Sequence, residues 1–160
     1  MGEFEKYILD GSATLFVGAG VSFLSKDAEG NPLPSGDGLR RELQEKTGAK
    51  REFPLDKISN FFVKKYGPST LYDLLNSKLT AADVDRRFAE FLRLPWRRIY
   101  TTNYDNSIQL ARKSTRGAET YTLDQAPANV PDGAIIHING FIGRVTPQNI
   151  STELRLTDSS

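Results

Sequence analysis

Residues 13–22 read Ala-Thr-Leu-Phe-Val-Gly-Ala-Gly-Val-Ser, and this stretch sets the architectural class of the protein. Its first five residues form a short β-prone apolar run that stops at Gly18-Ala19-Gly20. The pattern predicts a buried strand that ends in a tight turn. A helix is expected to begin inside this turn or just after it.

The sequence after the turn predicts a loop followed by helices. Residues 25–35 contain two prolines, a glycine and an asparagine without periodicity, which predicts a loop and a candidate lid. Apolar positions then recur at helical spacing in four blocks, so a helical insert of about four helices is expected at about residues 38–94. Thr80 precedes the fourth block as an N-cap would.

Three further β-prone segments follow, at residues 98–102, 119–123 and 134–138. Strands that alternate with helices imply an α/β fold with a Rossmann-like parallel sheet, in which ligands bind at the carboxyl ends of the strands. Three predicted strands end in polar or glycine-rich turns. If those strands are neighbours, three turns are expected to meet in one crevice: Gly18-Ala19-Gly20, Asn103-Tyr104-Asp105 and Asn139-Gly140.

Composition limits what such a crevice does. The 160 residues hold 21 basic and 20 acidic side chains, a net charge of +1, which argues for one domain and against direct nucleic-acid binding. Absence of cysteine excludes disulfide scaffolds, thiolate zinc sites and cysteine nucleophiles, and a single histidine excludes a histidine-rich metal site. Neither a signal peptide nor a membrane span is recognisable, so we expect a cytoplasmic protein without a membrane partner.

The glycine turn is the first candidate ligand site. Gly18 and Gly20, which flank Ala19, would let the backbone approach a phosphate, and Ser22 would add a hydroxyl. The third glycine of the common dinucleotide fingerprint is missing. The alternative is therefore a strand-to-helix turn without a ligand.

The other two turns carry an amide and an imidazole. Asn103 is placed to bind a ribose hydroxyl or a water, and Asp105 either orients Asn103 or caps the next helix. His137 is the first candidate for a general base because only its side chain titrates near neutral pH. Asn139 lies on the same strand face as His137, about 7 Å further along. The alternative for His137 is a buried histidine that is hydrogen-bonded within the sheet.

Taken together, the turns resemble the sirtuin superfamily. Residues 16–22 (Phe-Val-Gly-Ala-Gly-Val-Ser) are similar to its nucleotide-binding Gly-Ala-Gly-Ile/Val-Ser segment, and residues 101–105 (Thr-Thr-Asn-Tyr-Asp) to its Thr-Gln-Asn-Ile/Leu/Tyr-Asp motif. Pro34-Ser35-Gly36 falls where the flexible cofactor loop of the family runs. The resemblance covers about residues 13–143. It is nearest to the zinc-free sirtuin-like domains of bacterial anti-phage defence proteins.

This resemblance implies that the protein hydrolyses NAD at the nicotinamide–ribose bond without a metal ion. Asn103 would position the attacking water or ribose, and His137 would act as the base. The implied nucleotide contacts are Gly18, Ala19, Gly20, Ser22, Asp105, Asn139 and Gly140. NAD depletion would then stop phage growth at the expense of the host, as in abortive infection. A homo-oligomer is expected, with an ATPase, an Argonaute-type partner or a fused sensor domain.

Two departures from the family pattern leave alternatives open. The catalytic histidine of the family directly precedes a glycine, whereas here Asn139 precedes Gly140. Either His137 reaches the site from the same strand face, or it lies deeper and Asn139 has replaced the base. The family fold also continues past this strand, so residues 1–160 are expected to be the N-terminal portion of a longer domain, with the C-terminal part of the fold missing.

The competing hypothesis is a sensor or assembly module that binds NAD or ADP-ribose without turnover. It is motivated by Asn139 in the position where the family has its histidine. Lysine deacylation is disfavoured because the zinc ribbon of the deacylases needs four thiolates and this sequence has none.

Overall fold

A parallel sheet of four strands organises the protein. The computed structural model describes residues 2–113 and 118–156. The strands of these residues are β1 (Thr14–Val17), β2 (Ser25–Lys26), β3 (Asp83–Val84), β4 (Arg98–Thr101), β5 (Thr120–Thr122) and β6 (Ala134–His137). The order in the sheet is β1-β4-β6-β5, with every neighbouring pair parallel. The expected α/β fold with a Rossmann-like parallel sheet is therefore confirmed.

Helices occupy most of the chain between β1 and β4. The α-helices of the described residues are α1 (Glu3–Leu9), α2 (Gly36–Thr47), α3 (Leu55–Tyr66), α4 (Pro68–Leu79), α5 (Arg86–Leu92), α6 (Ser107–Ala111) and α7 (Ile150–Glu153). The four predicted helices of the insert are thus confirmed as α2 to α5, whereas α1 was not expected. The turn after β1 continues as a 3₁₀ helix, Ala19–Leu24, where a helix start was expected. Among residues 2–113 and 118–156, no helix has the length and apolar character needed to cross a bilayer.

The predicted start of the fourth helix of the insert is wrong. Thr80 ends α4 as its C-cap, and the helix that follows begins at Arg86 with Asp85 as its N-cap. The Asp85 carboxylate accepts hydrogen bonds from the backbone N–H groups of Arg87 and Phe88. The intervening residues are not helical because β3 pairs with β2 in a two-stranded antiparallel sheet.

The segment expected to be an irregular loop, residues 25–35, is only partly irregular. It begins with β2, and Lys26 forms a further bridge with Pro32. The Asp27 carboxylate accepts hydrogen bonds from the backbone N–H groups of Glu29 and Asn31. Leu33 is almost fully buried. These contacts anchor the segment that leads from the glycine turn to α2.

Two apolar cores flank the strand ends. One core packs α5, α6 and Ile8 of α1 onto the sheet through Val17, Ile99 and Ile135. The other core joins α2, α3 and α4 to the segment after β6, and Tyr104 is part of it. Because Tyr104 lies between Asn103 and Asp105, the second core helps to hold the turn after β4 in place.

Candidate functional site at the strand ends

The register of the sheet brings three strand ends together. Val17 of β1 lies opposite Thr101 of β4, which in turn lies opposite His137 of β6. The ladder continues past these residues, since the Thr102 N–H donates to the Val17 carbonyl at 3.3 Å and the Ile138 N–H to the Thr101 carbonyl at 2.8 Å. The three strand ends therefore lie side by side at one edge of the sheet.

Asn103 connects the turn after β4 to the glycine turn. Its backbone N–H donates to Thr101 Oγ1 at 3.0 Å. Its side-chain Nδ2 donates to the Gly18 carbonyl at 3.1 Å and to Ser22 Oγ at 3.0 Å. The residue is 6% exposed, and its Oδ1 has no hydrogen-bond partner among the described residues. A buried acceptor without a partner is costly, so this oxygen is suited to accept a hydrogen bond from a ligand or a water.

Asp105 and Ser22 orient that amide. The Ser22 hydroxyl donates to Asp105 Oδ2 at 2.6 Å while accepting from Asn103 Nδ2. Asp105 Oδ1 accepts from the Ser107 N–H at 2.9 Å, at the start of α6. Asp105 therefore orients Asn103 through Ser22 and also accepts from the first N–H group of α6, whose N-cap residue is Asn106. The hydroxyl proton of Ser22 is donated to Asp105 and is therefore not available to a ligand in this arrangement.

The glycines of the turn after β1 border open space. Gly18 has an extended backbone, and neither Gly18 nor Gly20 has a positive φ angle. A Cβ atom added to either residue would meet no heavy atom within 4 Å. Neither backbone conformation nor packing within the fold thus requires glycine at these two positions. Glycine would be required if a ligand approached the backbone closely here.

A small crevice lies between the turn after β1 and the turn after β4. It has a volume of about 30 Å³, which holds little more than a water molecule. Asn103, Asp105 and Ser22 line one part of it, and Pro34, Ser35 and Gly36 line another. A shallow groove of about 300 Å³ shares Ala19 with the crevice and is lined by β1, Phe88 and Phe91.

Helix α2 begins at Gly36, within the segment Pro34-Ser35-Gly36 that is similar in position to the cofactor loop of the sirtuin superfamily. Ser35 caps this helix by accepting a hydrogen bond from the Gly38 N–H at 3.1 Å. The first-turn N–H groups of Gly36 and Asp37 have no acceptor inside the helix, as at any helix start. A Cβ atom at Gly36 would also point into open space. A serine N-cap before a helix was a readable signal, but its position beside the crevice depends on tertiary packing.

His137 is not among the residues that line the crevice. The side chain is fully buried, Nδ1 lies 2.7 Å from the Asn103 carbonyl oxygen, and Nε2 lies 2.7 Å from Nε2 of Gln109. Burial lowers the pKa of His137 to about 4, although the contact with the Asn103 carbonyl and the charge of Asp105 raise it. The ring is therefore neutral at pH 7. Both of its nitrogens are engaged, which leaves neither for a substrate in this arrangement.

Asn139 and Gly140 have structural contacts of their own. The Asn139 side chain donates to the Thr102 carbonyl at 3.3 Å. Gly140 has a φ of +102°, and a Cβ atom there would lie 2.0 Å from the carbonyl oxygen of Glu153. Neither residue lines the crevice. The expected nucleotide contacts of these two residues are not part of this geometry, because the chain turns at Gly140 to pack against the end of α7.

Gln109 is the residue of the site that the sequence analysis missed. It lies on α6, and its Nε2 donates to Thr120 Oγ1 at 3.2 Å as well as approaching His137. Only its position within the predicted helix was available from the sequence. Nothing in that pattern indicates which strand residue a helical glutamine contacts.

Comparison with known proteins adds no assignment. The sequence matches no protein-family model and shows no significant similarity to a curated protein. Among the described residues, no group of three or more histidine and acidic side chains is arranged to hold a metal ion.

Proposed function

We propose that the crevice binds NAD and that the protein hydrolyses its nicotinamide–ribose bond. One observation carries this proposal: the buried Oδ1 of Asn103 has no partner where three strand ends converge. Ligands of parallel α/β sheets bind at this edge. The resemblance of residues 16–22 and 101–105 to the sirtuin motifs supports NAD as the nucleotide.

The bond cleavage needs little acid catalysis. The C1′–N bond breaks with its electron pair moving to the pyridinium nitrogen, so nicotinamide leaves as a neutral molecule without receiving a proton. Positive charge develops on the ribose, and water then adds to C1′ and loses a proton to the solvent. Asn103 Oδ1 accepts a hydrogen bond from this water or from a ribose hydroxyl.

The charge of the site suits a cationic reacting group. Asp105 is 3% exposed and lines the crevice, and no basic side chain is among the lining residues. A buried carboxylate stabilises positive charge more strongly than one in water, because the local dielectric constant is lower. Both the pyridinium of NAD and the developing ribosyl cation carry that charge.

Entry of a dinucleotide requires the crevice to widen. A volume of about 30 Å³ is far smaller than NAD, and Pro34, Ser35 and Gly36 form part of the wall of the crevice. We infer that this part of the wall moves away when NAD binds. The shallow groove that shares Ala19 with the crevice then receives the rest of the nucleotide along the glycine turn.

In the cell, this activity would deplete NAD. The resemblance to anti-phage domains favours a role in abortive infection, in which a homo-oligomer or a partner such as an ATPase, an Argonaute-type protein or a fused sensor domain switches the hydrolase on. A module that binds NAD or ADP-ribose without turnover is the second candidate. It is favoured by His137, since that ring offers no free nitrogen to a substrate.

The test is release of nicotinamide from NAD by the wild-type protein, Asn103→Ala and Asn129→Ala. Asn129 is an exposed asparagine of the loop before β6, so its variant is a matched control. We expect release by the wild type and the control, and its loss in Asn103→Ala. NAD binding without release would favour the second candidate, and unchanged release by Asn103→Ala would contradict the assignment of Asn103.

A further inference from the structure

Gln109 and His137 form a hydrogen-bonded chain that ends on the backbone of Asn103. Gln109 Nε2 lies 2.7 Å from Nε2 of His137, whose Nδ1 lies 2.7 Å from the Asn103 carbonyl oxygen. Thr120 Oγ1 accepts a second hydrogen bond from the same Gln109 nitrogen. The chain therefore links α6, β5 and β6 to the turn that carries the proposed ligand-binding amide.

The two contacts of the imidazole define where its proton lies. A backbone carbonyl only accepts hydrogen bonds, so the contact with Asn103 requires a proton on Nδ1. An amide nitrogen only donates, so the contact with Gln109 requires Nε2 to be unprotonated. Reversal of the Gln109 amide would place its oxygen against Nε2 and require a proton there as well. That imidazolium is disfavoured because the ring is fully buried.

We propose that Gln109 is a positioning residue: it keeps the proton of His137 on Nδ1, and the imidazole then holds the Asn103 carbonyl so that the Asn103 side chain reaches Gly18 and Ser22. His137 is accordingly a second positioning residue and not the base. The structural part of this inference stands alone. Its consequence for catalysis rests on the proposed NAD hydrolysis.

The remaining neighbours of the ring complete its environment. Phe141 packs against the imidazole with a centroid separation of 4.5 Å. The charged groups that act on it are Asp105, which favours the protonated ring, and Arg144, which disfavours it. These two charges act on the protonation of the ring as a whole and oppose each other. The choice between the two neutral tautomers depends on the hydrogen-bond contacts, and those with the Asn103 carbonyl and with Gln109 both favour a proton on Nδ1.

The first test is ¹⁵N NMR of the imidazole, which gives a single set of signals because the sequence has one histidine. We expect the wild type at pH 7 to be neutral with the proton on Nδ1. In Gln109→Met only the Asn103 carbonyl still favours the Nδ1–H form, so a fraction of the Nε2–H tautomer is expected to appear, whereas the exposed control Gln148→Met keeps the wild-type signals. An Nε2–H or doubly protonated ring in the wild type overturns the proposal, and this measurement needs no variant to fold.

The second test uses Gln109→Glu and nicotinamide release. The new carboxylate keeps a proton on Nε2, so Nδ1 can donate to Asn103 only while the ring is doubly protonated. As the pH is raised, NMR should show that Nδ1 of this variant loses its proton. Over the same pH range the rate of nicotinamide release is expected to fall roughly tenfold or more, with KM little changed. The wild type should show no such fall in release, because its Nδ1 proton is present at every pH of the assay.

The outcomes separate this inference from the proposed function. If Nδ1 deprotonates in Gln109→Glu and release stays constant, Gln109 has no positioning role. If the wild type neither binds nor cleaves NAD, the proposed function fails, while the NMR result still decides whether Gln109 sets the tautomer. If Gln109→Met leaves the imidazole signals unchanged, the proposal is overturned whatever the activity.

Discussion

The side-chain amide of Asn103 donates to the backbone carbonyl of Gly18 at 3.1 Å, across 85 positions of sequence. This one contact joins the turns after β1 and β4. It leaves Oδ1 of the same amide buried and without a partner among the described residues. The proposed site depends on this arrangement.

Gly20→Ala is expected to preserve the fold but to impair NAD binding. The added methyl group would occupy open space beside the glycine turn, so the free energy of unfolding should change by less than about 1 kcal/mol. A ligand that approaches this backbone would meet the methyl group, and its affinity should fall roughly tenfold or more. Urea titration and calorimetry with NAD measure the two effects.

Gly2→Ala is the matched control for that variant. Its methyl group also enters open space, but it lies at the start of α1, away from the strand ends. Equal NAD affinities of Gly20→Ala, Gly2→Ala and the wild type would remove the glycine turn from the site.

Ser22→Ala is expected to destabilise the protein by about 1–3 kcal/mol. It leaves Asp105 Oδ2 and one hydrogen of the Asn103 amide without their partner. Ser107→Ala removes a hydroxyl that is equally buried but has no partner among the described residues, so it should be neutral or stabilising. Urea unfolding of the two variants tests this, and a similar loss in both would contradict the role given to Ser22.

Gly140→Ala is expected to be severely destabilising, by about 3 kcal/mol or more. Its Cβ atom would overlap the Glu153 carbonyl, and φ is also positive there. Gly30→Ala shares the positive φ but places its Cβ atom in open space, so it should cost only about 1 kcal/mol. Thermal unfolding compares them, and equal losses would show that the contact with α7 is unimportant.

The burial of His137 predicts a loss of stability in acid. Folding lowers the pKa of His137 from 6.5 to about 4, so the unfolded chain binds this proton more readily than the folded protein. The free energy of unfolding is therefore highest above about pH 6.5, and it falls by about 3 kcal/mol as the pH is lowered to about 4. Urea unfolding of the wild type and His137→Gln across this range should show a slope that is shallower in the variant. Parallel slopes would mean that the ring titrates normally.

The main features of the sheet were predictable from the sequence. Apolar β-prone runs that end in polar or glycine-rich turns marked β1, β4 and β6, and their shared edge follows from parallel topology. Details set by distant contacts were not predictable. Thr80 resembles an N-cap in the sequence, but the residues after it form β3, which pairs with β2. Helix α1 has apolar residues at positions 4, 7, 8 and 9, but its seven residues are too short a window for helical periodicity to be recognised.

The site was predictable as a cluster but not in its internal contacts. Alternation along β6 placed His137 and Asn139 on one face, but alternation does not show how deeply a side chain is buried. The imidazole is fully buried and does not line the crevice. Gly140 looked like part of a ligand turn because the sequence does not show that Glu153 packs against it. Gln109 was missed for the same reason, since its partner lies on a strand that is distant in sequence.

The most direct test of the proposed site is to map NAD binding by amide NMR at each residue of the wild-type protein. The proposed site predicts that titration with NAD shifts the signals of Ala19, Gly20, Ser22, Gly36 and Asn103 most strongly, with Asn129 and other distant loop residues unaffected. Shifts confined to residues away from the strand ends, or no shift at millimolar NAD, would contradict it.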